Sequence, residues 1–199
     1  DEAGFSDSCR FILTDGLDCI EPDEGDVLLI SGLGGENIAR IIDRGNQKLS
    51  KFIRLIFQPQ SKDDALRDMI DHLRLSVLDE RVAVENQRPY VVMVCDTSGH
   101  AFQKRFSRLQ IEFGPKILER IGVILESLSP YHETESDVRT FLESLSVNES
   151  IEVQDRAQII YLLFKLNRLS RRARYHESDR HLLESFRAWF LSHANILLR

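Results

Sequence analysis

Asp26-Val27-Leu28-Leu29-Ile30-Ser31-Gly32-Leu33-Gly34-Gly35 is the stretch on which the reading of this chain turns. Val27 to Ile30 is an apolar run with the length and β-branched content of a buried parallel strand. Glycines at 32, 34 and 35 then cut it off. After them Ile38, Ile41 and Ile42 share one helical face. The spacing therefore predicts strand, tight turn, helix. In an open α/β sheet, ligands lie outside the carboxyl ends of strands, where such turns sit. Glycine there permits positive φ and close approach of another molecule. An ordinary βα turn that needs glycine for geometry alone fits the pattern equally, since G-x-G-G lacks the full dinucleotide fingerprint.

On the amino-terminal side, Cys9-Arg10-Phe11-Ile12-Leu13-Thr14 reads as a short strand ending at Asp15-Gly16-Leu17. On the other side, the helix runs from about Glu36 to Arg44 and stops at Gly45-Asn46. Residues 52–57 are a further apolar strand, ended by Gln58-Pro59-Gln60 because proline cannot continue a central ladder. Ser61 suits an N-cap, with Asp63 and Asp64 in the first helical turn and Leu66, Met69, Ile70 and Leu73 on one face. Residues 75–85 and 90–96 read as two strands of an antiparallel hairpin. The order through residue 97 is β, β-α, β-α, β-β, which predicts three parallel strands followed by the hairpin.

From Gly99 onward the pattern becomes helical. Gly114-Pro115 is a break, and Ile117, Leu118, Ile121, Ile124, Leu125 and Leu128 form a stripe ended by Ser129-Pro130. A shorter helix follows near Asp137–Leu145. Two longer ones span about Ile151–Tyr175 and Ser178–Leu198, with Leu162, Leu163, Leu166 and Leu169 on one and Leu182, Leu183, Phe186, Phe190 and Leu197 on the other. They read as an antiparallel pair. Trp189 and Phe190 are expected in the core. The predicted division is 1–98 for the sheet part and 99–199 for the helical extension.

The 199 residues suit one domain of ordinary size or one domain with an appendage. An apolar fraction of 42% and a charged fraction of 29% describe a soluble globular chain. No apolar run approaches the roughly 18 residues of a membrane span. The opening Asp1-Glu2-Ala3-Gly4 is acidic, without a leader's basic-then-apolar signature, and does not begin with methionine. Cys9, Cys19 and Cys95 are scattered, which argues against a disulfide frame or zinc site and for a reducing cytoplasm. His176 and His181 read as a solvated pair, and no metal site is expected. The net charge is −6, with an acidic first half and a slightly basic second half. Lys165, Arg168, Arg171, Arg172 and Arg174 form the densest basic run; Arg168, Arg171 and Arg172 can share a helix face, suited to phosphate contact or simply to solvent.

Asp15-Gly16-Leu17, Gly32-Leu33-Gly34-Gly35, Leu55-Ile56-Phe57-Gln58-Pro59-Gln60, Arg67 and Glu85 to Tyr90 together resemble one family in order and spacing. It is the bacterial S-adenosylmethionine-dependent tRNA (adenine(22)-N1)-methyltransferase family. Members carry G-M-G-G where this chain has Gly-Leu-Gly-Gly, and L-Q-P-N or L-Q-P-Q at the next strand end. The resemblance runs through about residue 97. It implies an α/β fold: a partial Rossmann-like methyltransferase sheet, parallel strands ending in an antiparallel hairpin, with a C-terminal all-α extension. It also implies that the chain begins at the third strand of that sheet. The first strand, with its Asp-Ile-Gly-type loop, and the acidic residue after the second strand have no counterpart in residues 1–14.

By the same resemblance, S-adenosylmethionine is the cofactor and tRNA the partner, and the location is cytoplasmic. Asp15, Gly16, Leu17 and Gly32 are candidate cofactor residues: Asp15 as acceptor for the adenine amino group, Gly16 for close approach of the ring. Asp15 is otherwise a turn residue that caps local amides. Ser31, Gly32, Gly34 and Gly35 are the candidate catalytic turn between methyl donor and target base. Gln58, Pro59 and Gln60 either read a base edge or satisfy turn amides, and Arg168, Arg171 and Arg172 are candidate RNA contacts. Tyr90 reads as a packing residue and Glu85 as solvent-facing. A non-catalytic truncated relative that binds RNA or a protein through the helical tail is the alternative. A different Rossmann-like, nucleotide-using enzyme is the third reading.

Overall fold

A computed structural model describes residues 9–21, 24–98, 104–128 and 138–194. Four strands, β1 (Val27–Leu33), β2 (Arg54–Pro59), β3 (Ser76–Glu85) and β4 (Arg88–Asp96), form one sheet in the order β1-β2-β4-β3. β1 and β2 are parallel, and β4 runs antiparallel to both its neighbours. The hairpin between β3 and β4 turns on Asn86 and Gln87, both at positive φ (47° and 61°), as a two-residue turn of matching twist requires.

Helices α1 (Gly35–Arg44), α2 (Asn46–Leu49) and α3 (Asp63–His72) belong to the sheet part; α4 (Arg108–Phe113), α5 (Pro115–Ser127), α6 (Val138–Ser146), α7 (Val153–Arg172) and α8 (Glu177–His193) follow. In α1, Glu36 in the first turn and Arg44 in the last complement the helix dipole.

Side-chain alternation assigns the two sheet faces. Leu28, Leu55, Cys95 and Val77 lie in one cross-strand row, and Ile30, Phe57, Met93 and Glu80 in the next. All eight are buried. The apolar ones share one cluster with Ile38 and Ile42 of α1, Leu66 and Ile70 of α3, and Leu162 and Leu166 of α7. The core therefore runs without a break through both the sheet part and the helical extension. Gln154 and Gln158 of α7 also donate to the Val82 and Glu80 carbonyls, covering the β3 edge of the sheet.

Several expectations change. Residues 9–14 are not a strand, so two strands are parallel rather than three. In the doubly wound order 3-2-1-4-5, two strands separate the third strand from the fourth. Residues 9–14 thus have no ladder to join beside β1. Ser61 does not cap α3. That position falls to Lys62, at φ 55° and without a side-chain cap, and Ser61 instead gives its carbonyl to the Gly35 N–H at 2.7 Å. Gly45 does end α1, but Asn46 opens a further short turn of helix. Strand β2 includes Gln58 and Pro59 rather than stopping before them. The extension is more than a helix pair, and α4 lacked a sequence expectation although Ser107 and Gln110 form a reciprocal capping box. Ser129-Pro130, Asp137, Leu197 and Leu198 lie outside the described residues.

Candidate functional site

The carboxyl ends of β1 and β2 lie side by side, and their two loops are stitched together. The Gly32 N–H donates to Gln58 Oε1 at 3.3 Å, Gln60 Nε2 donates to the same oxygen at 3.1 Å, and the Gln60 N–H donates to the Leu33 carbonyl at 2.8 Å. Of the two roles open to the glutamines, Gln58 takes the structural one: it holds the glycine turn in register with the next loop. Pro59 is buried at the end of β2, where its missing N–H costs the ladder nothing.

The three glycines do different work. Gly32 has φ +78°, and a Cβ there would meet nothing within 4 Å. Gly34 caps α1 and has only Ser61 Oγ within reach, at 3.4 Å. Gly35 is buried, and a Cβ would run into the Lys62 carbonyl oxygen. Gly35 therefore serves close packing of α1 on the β2–α3 loop, while Gly32 and Gly34 leave open space above the turn. Ser31 and Leu33 are exposed beside them.

Asp15 faces the same turn. A cleft of about 580 Å³ is lined by Asp15, Leu33, Asn37, Arg40, Ile41 and Arg44 among others. Arg44 fixes the Asp15 turn by donating to Asp15 Oδ2 and to the Asp15 carbonyl, each at 2.8 Å, and to Asp18 at 2.8 Å. These hydrogen bonds to Asp15 and Asp18 hold the Arg44 guanidinium above its ordinary pKa. Asp15 Oδ1 keeps no partner among the described residues. Gly16 sits at φ +60°, with Ile41 Cγ2 3.2 Å from where its Cβ would be. The Leu17 side chain is buried in the core, and its carbonyl accepts from Lys48 Nζ at 2.9 Å. The structure thus brings Asp15, Gly16 and the β1–α1 turn together.

Beneath the β2–α3 loop lies a buried charge network. Arg67 is fully buried and donates to Glu80 at 2.7 Å, Asp63 at 2.8 Å, the Ile111 carbonyl at 3.3 Å and the Tyr161 hydroxyl at 2.9 Å. Tyr161 in turn donates to Asp63. Lys165 pairs with Asp63 at 3.3 Å and with Glu112 at 3.2 Å. The Lys116 N–H at the start of α5 donates to Glu80 Oε2 at 2.9 Å. Burial alone would push the Asp63 carboxyl up; Arg67, Lys165 and the Tyr161 hydrogen bond reverse this and hold it below the usual carboxylate range. Burial pushes the Cys95 thiol up, which leaves it unreactive.

The basic run of α7 divides. Lys165 belongs to the buried network rather than the surface. Arg172 is engaged by Glu112 at 2.9 Å and by Asp179 at 3.3 Å. Arg168 lies over the Phe164 ring at 5.9 Å, and Arg171 is exposed. The three do not form one free phosphate-binding stripe. The sequence reading missed Lys165's burial, although it sits at helical spacing within the Leu162, Leu166, Leu169 stripe. Among the described residues no His, Cys, Asp and Glu cluster could hold a metal ion, and no helix is long and apolar enough to cross a membrane.

A 35% identical relative, the tRNA (adenine(22)-N(1))-methyltransferase of Bacillus subtilis (strain 168), aligns over 82 residues, 41% of this chain and 34% of that protein. The chain therefore matches about a third of the length of that curated relative. The structure of Streptococcus pneumoniae Sp1610 in complex with S-adenosyl-L-methionine is 27% identical, with a TM-score of 0.50, covering 76% of this chain and 66% of that one. A Streptococcus agalactiae protein of the NADB-Rossmann superfamily shares the fold at 22% identity and a TM-score of 0.54, over 81% of this chain and 70% of that one. The family model described as tRNA (adenine(22)-N(1))-methyltransferase matches residues 1–176. The chain belongs to the tRNA (adenine(22)-N(1))-methyltransferase family.

Proposed function

We propose that this chain takes part in S-adenosylmethionine-dependent methylation of N1 of an adenine in tRNA, in the cytoplasm. Residues 1–98 would hold the reacting groups and residues 99–199 would support the RNA. One observation carries the reading: Asp15 and Leu33 of the β1–α1 turn, in a chain of this family, line a single cleft. The residues present fit the cofactor. Arg44 uses one carboxylate oxygen of Asp15 and leaves Oδ1 for an amino donor, and a Cβ on Gly32 would meet nothing within 4 Å, so the turn itself is open.

When bound, S-adenosylmethionine supplies an electrophilic methyl group on a sulfonium. The chain's own part is placement. Asp15 Oδ1 accepts from the adenine amino group of the cofactor, with Gly16 beside the ring. Gly32, held by Gln58, and Gly34 give a flat target base a Cβ-free surface against which to lie, with Ser31 at the rim. Neutral adenine N1 already carries a lone pair, so orientation and exclusion of water dominate, and no general base is required. The base must leave its stack to reach this turn. Gln60, Arg168 and Arg171 face the RNA.

Calorimetry tests the cofactor half. S-adenosylmethionine titrated into a protein that carries the first two strands of the sheet ahead of these 199 residues is expected to bind, and Asp15→Ala to weaken binding roughly tenfold or more, as loss of a charged hydrogen bond does. Methyl incorporation into a tRNA transcript tests the other half. Transcript binding with neither cofactor binding nor methyl transfer would favour the non-catalytic relative.

A further inference from the structure

A second concavity opens beside the glycine turn, between the start of β4 and α7. Arg88, Tyr90, Phe164, Arg168 and Gln60 line it, above the buried Asp63–Lys165–Tyr161 cluster. Arg88 and Tyr90 lie at this end of the sheet because β4 runs opposite to β2.

The lining has an unusual unspent capacity. Arg67, Arg120 and Arg172 are each engaged by carboxylates. Arg88 and Arg168 have no carboxylate partner among the described residues. Arg168 instead lies over Phe164, a ring that stays 37% exposed. Two permanent cations attract phosphate, and two accessible aromatic rings attract the flat face of a base. Both in one cleft of a chain with net charge −6 point to a nucleotide rather than to a general anion.

Size decides between a free nucleotide and a strand. The cleft encloses only about 80 Å³, well below the roughly 300 Å³ or more of sites that engulf a small ligand. A strand passing over it needs no enclosure. Position decides which part of the strand. Gln60 lines the cleft and donates to Gln58 Oε1, which accepts from the Gly32 N–H. The cleft and the glycine turn are thus joined through two glutamine side chains.

We infer that this cleft seats a nucleotide flanking the target adenine, its base against Phe164 and Tyr90 and its phosphate on Arg88 and Arg168. The assignment rests on the methyltransferase reading. Tyr90, expected to pack, is half-buried, and the assignment adds a ligand to the part of the ring left accessible.

The test uses fluorescence anisotropy of the 199-residue chain with a labelled in vitro tRNA transcript carrying an unmodified adenine at position 22. Arg88→Ala with Arg168→Ala is expected to weaken binding roughly tenfold or more and to flatten the log–log salt dependence by about 0.7, the share of the one single-strand phosphate left without its cations. Phe164→Ala should weaken binding roughly tenfold with the salt slope unchanged, since it removes stacking and not charge. Arg174→Ala with Arg187→Ala removes the same charge elsewhere and should change little. Circular dichroism confirms that each variant is folded. Wild-type affinity in the Arg88/Arg168 variant, or equal weakening in the Arg174/Arg187 variant, overturns the proposal. Calorimetry with S-adenosylmethionine on the same variants, each with the first two strands of the sheet restored, separates the two levels: cofactor binding that persists while these RNA results fail overturns the cleft alone. Absence of both cofactor and transcript binding, the cofactor titrated into a protein with the first two strands of the sheet restored, overturns the methyltransferase reading and the cleft together.

Discussion

A Cβ on Gly35 would meet the backbone of Lys62, a neighbour that cannot swing aside, whereas the same atom on Gly34 meets only the hydroxyl of Ser61 at ordinary contact distance. Gly32 differs again: there is space for a methyl group, but its φ of +78° disfavours any side chain. Three costs follow. Gly35→Ala forces α1 away from the β2–α3 loop and should destabilise the chain by about 3 kcal/mol, the upper range for overpacking. Gly32→Ala should cost about 1–2 kcal/mol of backbone strain. Gly34→Ala should cost about 0.5–1 kcal/mol, the replacement of a tolerated N-cap residue by a poor one. Thermal unfolding checks the order, at roughly 2–4 °C per kcal/mol for a chain of this size. If Gly35→Ala melts with the parent, the packing argument is wrong and that glycine serves the open side of the turn instead. The sequence shows three glycines within four positions; only the place of Lys62 tells which of them is structural.

At the scale of elements, buried charges join α3, β3, α4 and α7, and they titrate accordingly. Asp63 has its folded pKa below the ordinary carboxylate value near 4. A depressed carboxylate contributes stability that is fully present above the unfolded pKa and is lost as pH falls below it. The chain should therefore lose stability below about pH 4, because the unfolded chain's Asp63 takes up a proton while the folded carboxylate stays ionised between Arg67 and Lys165. Asp63→Asn should cost about 3–5 kcal/mol at pH 7, because it strands buried cations, and should show a shallower dependence below pH 4. Urea midpoints across pH 3–7 measure both; parallel pH profiles for the two proteins would remove Asp63 from the network. These pairings were hardly legible beforehand. Charges in a helix read as solvated by default, and partners 102 residues apart, such as Lys165 and Asp63, leave no local trace. What was legible depended on period and punctuation: β1 and its turn, α1, the hairpin, and the Gly114-Pro115 break between α4 and α5. The apolar stretch at residues 9–14 misled because a strand needs a neighbour, and nothing in six residues states whether one is beside it.

For the molecule as a whole, the sheet is covered on one face only among the described residues. Leu29, Ile56 and Val94 form a cross-strand row on the face opposite the buried rows. Leu29 is 61% exposed and Val27 on the same face 52%, while Ile56, Val92 and Val94 are half-buried. β1 is also an edge strand with no ladder partner on its outer side among the described residues. Parallel strands normally have both faces covered, and an open, apolar edge is a template for pairing. Burying such a row releases roughly 25 cal/mol per Å² of apolar surface, so a second copy of the chain offers a ready cover. The isolated 199-residue chain is accordingly expected to associate as its concentration rises, and Leu29→Lys to suppress that association without lowering the melting temperature, since the side chain already faces solvent. Sedimentation velocity over a hundredfold concentration range reads the first, and thermal unfolding the second. A sedimentation coefficient independent of concentration in the unaltered chain would mean that residues outside those described already cover this face. Leu29→Lys would then lower the melting temperature instead, because the lysine would be forced into an occupied interface, and the two measurements together decide which surface the sheet presents to solvent.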